Sequence, residues 1–386
     1  MTKRAILIGC NYPGTKVGLN GCVNDVKRMY NILVNKYGFE EENIKLMTDV
    51  DDENDPPTGA NIKRAIKQVV SDSEEGDVFY LHFSGHGTQV PAESGDHEDD
   101  GMDEAIVPTD LNLITDDDFR ILLKPLAGGV QFTFVSDSCH SGGLLDGEQV
   151  QIGIADDGEL GDETEEHAEE GSTRDFTPAA EKYVDVGTLQ ELLSERTGQE
   201  VSLGTIRTVL FDVFGDDASP TVKVFVKHIK ERLEDGVSEE EILELYGETG
   251  HMAVAYLKAK MDDEEIDNDE YFGKVDVDGP VNRSGHANAK PDPEDCLPPG
   301  TGILISGCQS NQTSADANPT GDPADAYGAL THTIIGVVEE LDGNITNGEL
   351  VNAVRKKLAE SKFTQRPCLF SVEEAVDIPF ICEPVC

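Results

Sequence analysis

No run of 18 or more apolar residues occurs in the 386-residue sequence, so no segment reads as a membrane-spanning helix. The nucleotide-binding patterns G-x-x-x-x-G-K-[ST] and G-x-G-x-x-G are also missing, which argues against a nucleotide-dependent enzyme. Basic residues are scarce: 30 Lys and Arg stand against 77 Asp and Glu, a formal charge of −47. Such a surface repels nucleic acid and anionic membranes, so neither is expected as a partner, and it attracts metal cations and basic peptides. The plainer role of most of these carboxylates is to solvate the surface. The 8 cysteines are widely spaced, too sparse for a disulfide scaffold and suited to a reducing compartment. Cys382 and Cys386 have no second ligand pair nearby to make a zinc site. The first apolar run, Ala5–Cys10, is short for a secretion signal and reads as a strand, so the expected location is the cytoplasm.

Hydrophobic residues make up 38% of the chain, enough for a buried core in two or three units. The first 150 residues alternate strand and helix. Strands are expected at Ala5–Gly9, Ile44–Met47, Val78–Phe83 and Phe132–Val135, and helices at Asn24–Tyr37 and Asn61–Val70, the latter preceded by Thr58 as a cap. That alternation predicts a mostly parallel sheet covered by helices on both faces. From Asp156 to Glu170 there are nine acids and no Lys or Arg, a stretch too charged to bury. Helical periodicity returns over 184–260, broken by a turn at Asp216–Pro220, and a second acidic, Pro/Gly-rich stretch spans about 262–300. The α/β pattern resumes with a strand at Ile303–Ile305 and helices at Ala329–Leu341 and Asn347–Leu358. Three regions are therefore expected: 1–150, an acidic and partly helical linker over 151–294, and 295–386.

Two motifs directly follow expected strands, where α/β folds place their functional groups. They are Ser84-Gly85-His86-Gly87 and Asp137-Ser138-Cys139-His140. A thiol attacks a peptide carbonyl as thiolate, so it needs a base within reach and donors for the oxyanion. His86 and Cys139 lie 139 − 86 = 53 residues apart, close to the spacing of roughly 50 that caspases use. The backbone amides of Gly87 and Cys139 are candidate oxyanion donors. His140 competes as base, but its adjacency to Cys139 disfavours a productive geometry.

Together S-G-H-G-T, D-S-C-H-S-G-G, G-L-N-G-C-V-N-D-V near the start and S-G-C-Q-S-N-Q-T-S-A-D-A at Ser306–Ala317 resemble the type II metacaspases of plants and algae. The resemblance covers 1–150 and 295–386, and the middle more loosely through F-D-V-F-G-D-D-A-S-P and T-L-Q-E-L-L. It implies the caspase/hemoglobinase α/β fold, with a large-subunit-like and a small-subunit-like region joined by the linker. It also implies a monomeric single chain with Cys139 as nucleophile and His86 as base, acting in programmed cell death or stress. D-S-C-H-S departs from the Q-A-C-x-G of true caspases. Asp25 and Asp137 match the metacaspase positions that hold a basic P1 side chain, so protein substrates are expected to be cut after Arg or Lys.

Carboxylates cluster at 96–103, 116–118 and 146, and calcium favours six to eight oxygen ligands. An EF-hand beginning at Asp96 is excluded, because its twelfth position is Val107. By resemblance, Asp103, Asp116, Asp117 and Asp146 align with calcium ligands, and Asp96, Glu98, Asp99 and Asp100 form a candidate second site. Family resemblance further implies a zymogen in which a linker Lys fills the acidic pocket until calcium permits its cleavage. Lys223 is the expected residue, with Lys227 as the substitute. The alternative from another class is a non-catalytic calcium-binding scaffold whose Cys–His pair is unused.

Overall fold

The computed structural model describes residues 1–91 except position 52, then 102–139, 144, 150–152, 180–243, 254, 257, 302–308, 312–382 and 384. Seven strands make the central sheet: β1 (Lys3–Gly9), β2 (Ile44–Thr48), β3 (Val78–Ser84), β7 (Gln131–Asp137), β8 (Val150–Ile152), β10 (Ile303–Ser306) and β13 (Cys368–Ser371). Their order is β2-β1-β3-β7-β10-β13-β8. The pairs from β2 to β10 are parallel; β13 runs antiparallel to both of its neighbours. The mixed α/β architecture expected from the sequence is therefore the one adopted, with sheet strands drawn from both ends of the chain.

Alternation along each strand feeds two cores. Ile6, Ile8, Phe79, Leu81, Phe132, Phe134 and Leu304 pack on one face, where α2 (Gly59–Asp72) and α3 (Asp116–Leu123) contribute Ile62, Ile66, Phe119 and Leu123. Ala5, Leu7, Val78, Tyr80, Val135, Ile303 and Ile305 pack on the other. There α1 (Cys22–Tyr37), α7 (Ala329–Glu340) and α8 (Asn347–Glu360) bring Val26, Leu33, Ile334 and Val354. Burial on both faces explains why these strands read as continuous apolar runs. Thr58 caps α2, accepting from the Asn61 amide at 3.2 Å, and the capping boxes at Thr115 and Thr346 start α3 and α8.

Smaller features frame the carboxyl edge of the sheet. A hairpin sheet consists of β4 (Gly87–Pro91), β5 (Met102–Ile106) and β6 (Ile114–Thr115). A three-stranded sheet joins β9 (Ala180–Glu181), β11 (Ala315–Ala317) and β12 (Tyr327–Gly328). Among its described residues the linker contains α4 (Val186–Thr197), α5 (Ile206–Phe214) and α6 (Pro220–Glu234), the expected turn being the α5–α6 corner. That corner is docked: Lys63 of α2 and Asn112 donate to the Asp217 carbonyl at 2.6 and 2.7 Å.

Candidate active site

Ser84 and Asp137 end neighbouring parallel strands and stand opposite each other in the register, so the loops that follow carry His86 and Cys139 to the same place. Contact is so close that a side chain on Gly87 would put its Cβ 1.8 Å from the Cys139 carbonyl oxygen. The glycine is needed for the backbone to approach.

His86 is buried. Its Nε2 lies 2.7 Å from the Val17 carbonyl, an acceptor only, which assigns the proton to Nε2. Nδ1 is left as the basic nitrogen and has no hydrogen-bond partner. Burial lowers the imidazole to about 4, so it is neutral near pH 7 and able to accept a proton. The Cys139 sulfur receives the Ser314 amide at 3.0 Å. A hydrogen bond with Cys308, together with burial, holds the thiol well above its ordinary pKa, so at rest it is protonated.

The cleft contains a segment of the chain itself, 180–184. Ala180–Glu181 pairs antiparallel with Ala315–Asp316, and the Lys182 amide donates to the Ser314 carbonyl at 2.9 Å. Beyond it, the Val184 amide donates to the Gly87 carbonyl at 3.0 Å, and Thr88 Oγ1 donates to the Val184 carbonyl at 2.7 Å. Between these anchors, the Lys182 carbonyl oxygen accepts from the Gly87 amide at 3.0 Å and the Cys139 amide at 3.2 Å. Those are the two donors named from sequence, meeting on one oxygen.

The Lys182 side chain is fully buried between the expected pocket carboxylates. Its Nζ lies 3.1 Å from Asp137 Oδ1, 3.5 Å from Asp25 Oδ2 and 2.9 Å from Ser84 Oγ. Burial alone pushes the ammonium down; attraction by Asp137, with help from Cys22, Asp25 and Asp316, outweighs it and raises the pKa. Burial lifts Asp25 to about 7 against the pull of Lys182. Both carboxylates are held. Ser84 Oγ donates to Asp25 at 2.8 Å, and the Gly328 amide spans both Asp25 oxygens at 3.0 and 2.9 Å. Asp137 Oδ2 accepts from the Thr331 amide at 2.8 Å and its hydroxyl at 2.7 Å. A third carboxylate, Asp316, receives the Asn20 and Gly21 amides at 2.8 Å each.

Lys223 and Lys227 lie within helix α6, and it is Lys182 that stands between the two carboxylates. A helical backbone, with its carbonyls turned along the axis, cannot offer an extended bond to a nucleophile. The sequence did carry a signal for Lys182. It is the first Lys after the acid-rich stretch, and it sits three residues before Asp185, whose side chain caps α4 by accepting from the Thr188 amide at 3.0 Å. Ser84, Asp316, Gly328 and Thr331 were also missed, because nothing in their spacing says that β12 and α7 fold over the pocket.

The expected calcium ligands fall in two groups. Asp146, Asp96, Glu98, Asp99 and Asp100 lie outside the described residues, as does His140. Asp103, Asp116 and Asp117 are buried at β5 and the start of α3. Asp103 pairs with Arg207 of α5, whose Nε also donates to the Pro91 carbonyl at 2.9 Å, and Asp117 pairs with Arg120. All three acids are hard oxygen donors of the kind calcium takes. Among the described residues, however, no three His, Cys, Asp or Glu side chains gather closely enough to hold a metal.

Comparison with known proteins places the chain in a family. The family model "Metacaspase, peptidase C14 domain" matches residues 3–148. Metacaspase-4 of Arabidopsis thaliana is 42% identical, aligned over 99% of this chain and 100% of the relative. Metacaspase-6 of the same plant is 42% identical with the same shares, and Metacaspase-7 is 39% identical, again over 99% and 100%. The chain belongs to the type II metacaspases, cysteine-type peptidases of the caspase-like fold.

Proposed function

We propose that this peptidase cuts proteins after Lys or Arg, and that it is made as a zymogen whose own first substrate is the Lys182–Tyr183 bond. One observation carries the reading: the Lys182 carbonyl sits on two amide donors while its ammonium sits between two buried carboxylates. That is how a P1 residue must sit to be cut. Here Cys139 Sγ attacks the Lys182 carbonyl carbon, and His86 Nδ1 takes the thiol proton. The Gly87 and Cys139 amides hold the developing oxyanion. The C–N bond breaks, Tyr183 leaves as an amine carrying the proton from His86, and water releases the acyl group from Cys139. Arg fits the same carboxylate pair through its planar fork.

In the uncut chain the same contacts inhibit, since a tethered lysine competes with any free substrate at high effective concentration. Calcium is the activator in this reading. Its support is the acidic donor set of Asp103, Asp116, Asp117 and Asp146, with the 96–100 run as a second candidate, and the family resemblance. Calcium titration of Cys139→Ala protein by calorimetry tests the binding itself. A monomer in the cytoplasm, acting in cell death or stress, completes the proposal. The enzymatic claim is tested with a fluorogenic Lys peptide. Wild type should hydrolyse it and Cys139→Ala, with an unchanged circular dichroism spectrum, should not. Equal hydrolysis by both would remove Cys139 as nucleophile. No hydrolysis by wild type at any calcium concentration would favour the scaffold alternative.

A further inference from the structure

Around the Lys182 ammonium, three walls are polar and the fourth is a residue with no side chain. Gly328 ends β12 and is the N-cap residue of α7. A Cβ built there would lie 2.1 Å from Lys182 Nζ, 2.3 Å from Asp137 Oδ2 and 2.5 Å from Asp25 Oδ2. All three are far inside van der Waals contact. The backbone itself has no need of glycine, since φ −74° and ψ 131° suit any residue. What forbids a side chain here is the pocket, not the fold. The same residue orients Asp25 through its amide, so space and charge are set from one position.

We infer that Gly328 is a specificity-determining residue of this peptidase, its missing side chain setting the depth to which a P1 cation can reach Asp25 and Asp137. The small-subunit-like region thus decides the length of side chain accepted by carboxylates that the large-subunit-like region supplies. The inference rests on the Lys/Arg reading above and makes a separate claim about size.

The test compares processed wild type with processed Gly328→Ala on matched fluorogenic peptides carrying lysine or ornithine at P1. Ornithine has the same ammonium on a stem one methylene shorter. Wild type should prefer lysine. The added methyl should lower kcat/KM for lysine by roughly 10- to 200-fold, the range one methylene commands in a shaped pocket. The crowding of Asp137 and Asp25 is common to both substrates, but only lysine also meets the methyl with its ammonium, so the lysine-to-ornithine ratio should fall. An unchanged lysine-to-ornithine ratio in Gly328→Ala overturns the inference while leaving the Lys/Arg reading standing. Failure of wild type to cut after lysine would instead overturn that reading. Should Gly328→Ala not yield processed enzyme, thermal unfolding of uncut Cys139→Ala protein supplies the second measurement. In that background, Gly328→Ala and Lys182→Ala should be less than additive in Tm, because removing the lysine relieves the shortest of the three contacts the methyl makes. Additive losses would place Gly328 outside the pocket's wall and overturn the inference.

Discussion

Replacing Asp137 with asparagine keeps the shape of the side chain and an oxygen for the Thr331 donors, and removes only the charge. The consequence can be worked from the distances. At 3.1 Å, with an effective dielectric of about 20, Coulomb attraction between Asp137 and a P1 ammonium is about 5 kcal/mol. At 3.5 Å Asp25 contributes about as much. Both carboxylates are fully buried, so solvent screens neither. Removing one leaves the ammonium desolvated and underpaired, which typically costs about 3–5 kcal/mol. Converted at about 1.4 kcal/mol per tenfold, kcat/KM for Lys peptides should fall between roughly 100-fold and several thousand-fold. A peptide with norleucine at P1, which has no charge to pair, should be cut no worse than by wild type. Both numbers come from one assay on processed enzyme under excess substrate and under limiting substrate. A loss smaller than fivefold on Lys peptides, or an equal loss on norleucine, would refute the argument that the Asp137 charge holds the P1 residue.

Gly87→Ala keeps the amide but pushes it off the oxyanion, so kcat should fall at least 100-fold, the typical cost of losing one oxyanion donor. The new Cβ meets the Cys139 carbonyl, a backbone atom that cannot swing away; a Lys-peptide assay with a KM close to wild type would accompany the loss. The pH profile carries a sign fixed by Asp25. Burial holds its carboxyl above the ordinary carboxylate range, and it must be ionised to bind the P1 cation, so kcat/KM for Lys peptides should rise with pH. His86, held near 4, stays neutral near pH 7 and adds no limb there. A flat profile between pH 6 and 8 would contradict the Asp25 assignment.

Much of this molecule was legible before its structure. The parallel strands were visible because burial on both faces writes them as apolar runs, and Ser84 and Asp137 stand at the ends of two of them. Cys139, His86 and the Gly87 and Cys139 amides were picked out from motifs that sit directly after strands, whereas Asp25, in the first turn of α1, and Asp137 were picked out through the resemblance to the family. What escaped were contacts made over long sequence distance. Gly328 reaches Asp25 across 303 positions and Thr331 reaches Asp137 across 194. Lys182 finds its pocket because β9 adds to the edge of β11, a pairing of two residues with no periodicity of its own. Lys223 was expected through the resemblance, from its place just after the Ser219-Pro220 turn; the structure puts that segment at the start of helix α6 and Lys182 between the carboxylates.

The first bond that the chain cuts in itself is the most direct test of Lys182 as the occupant of the P1 pocket. Purified full-length protein, treated with calcium and sampled at early times by intact-mass spectrometry, should yield one fragment ending at Lys182 and another beginning at Tyr183. Lys182→Gly should abolish that pair of masses. A first cut in wild type after Lys223, Lys227 or any other residue, with the Lys182–Tyr183 bond intact, would contradict it.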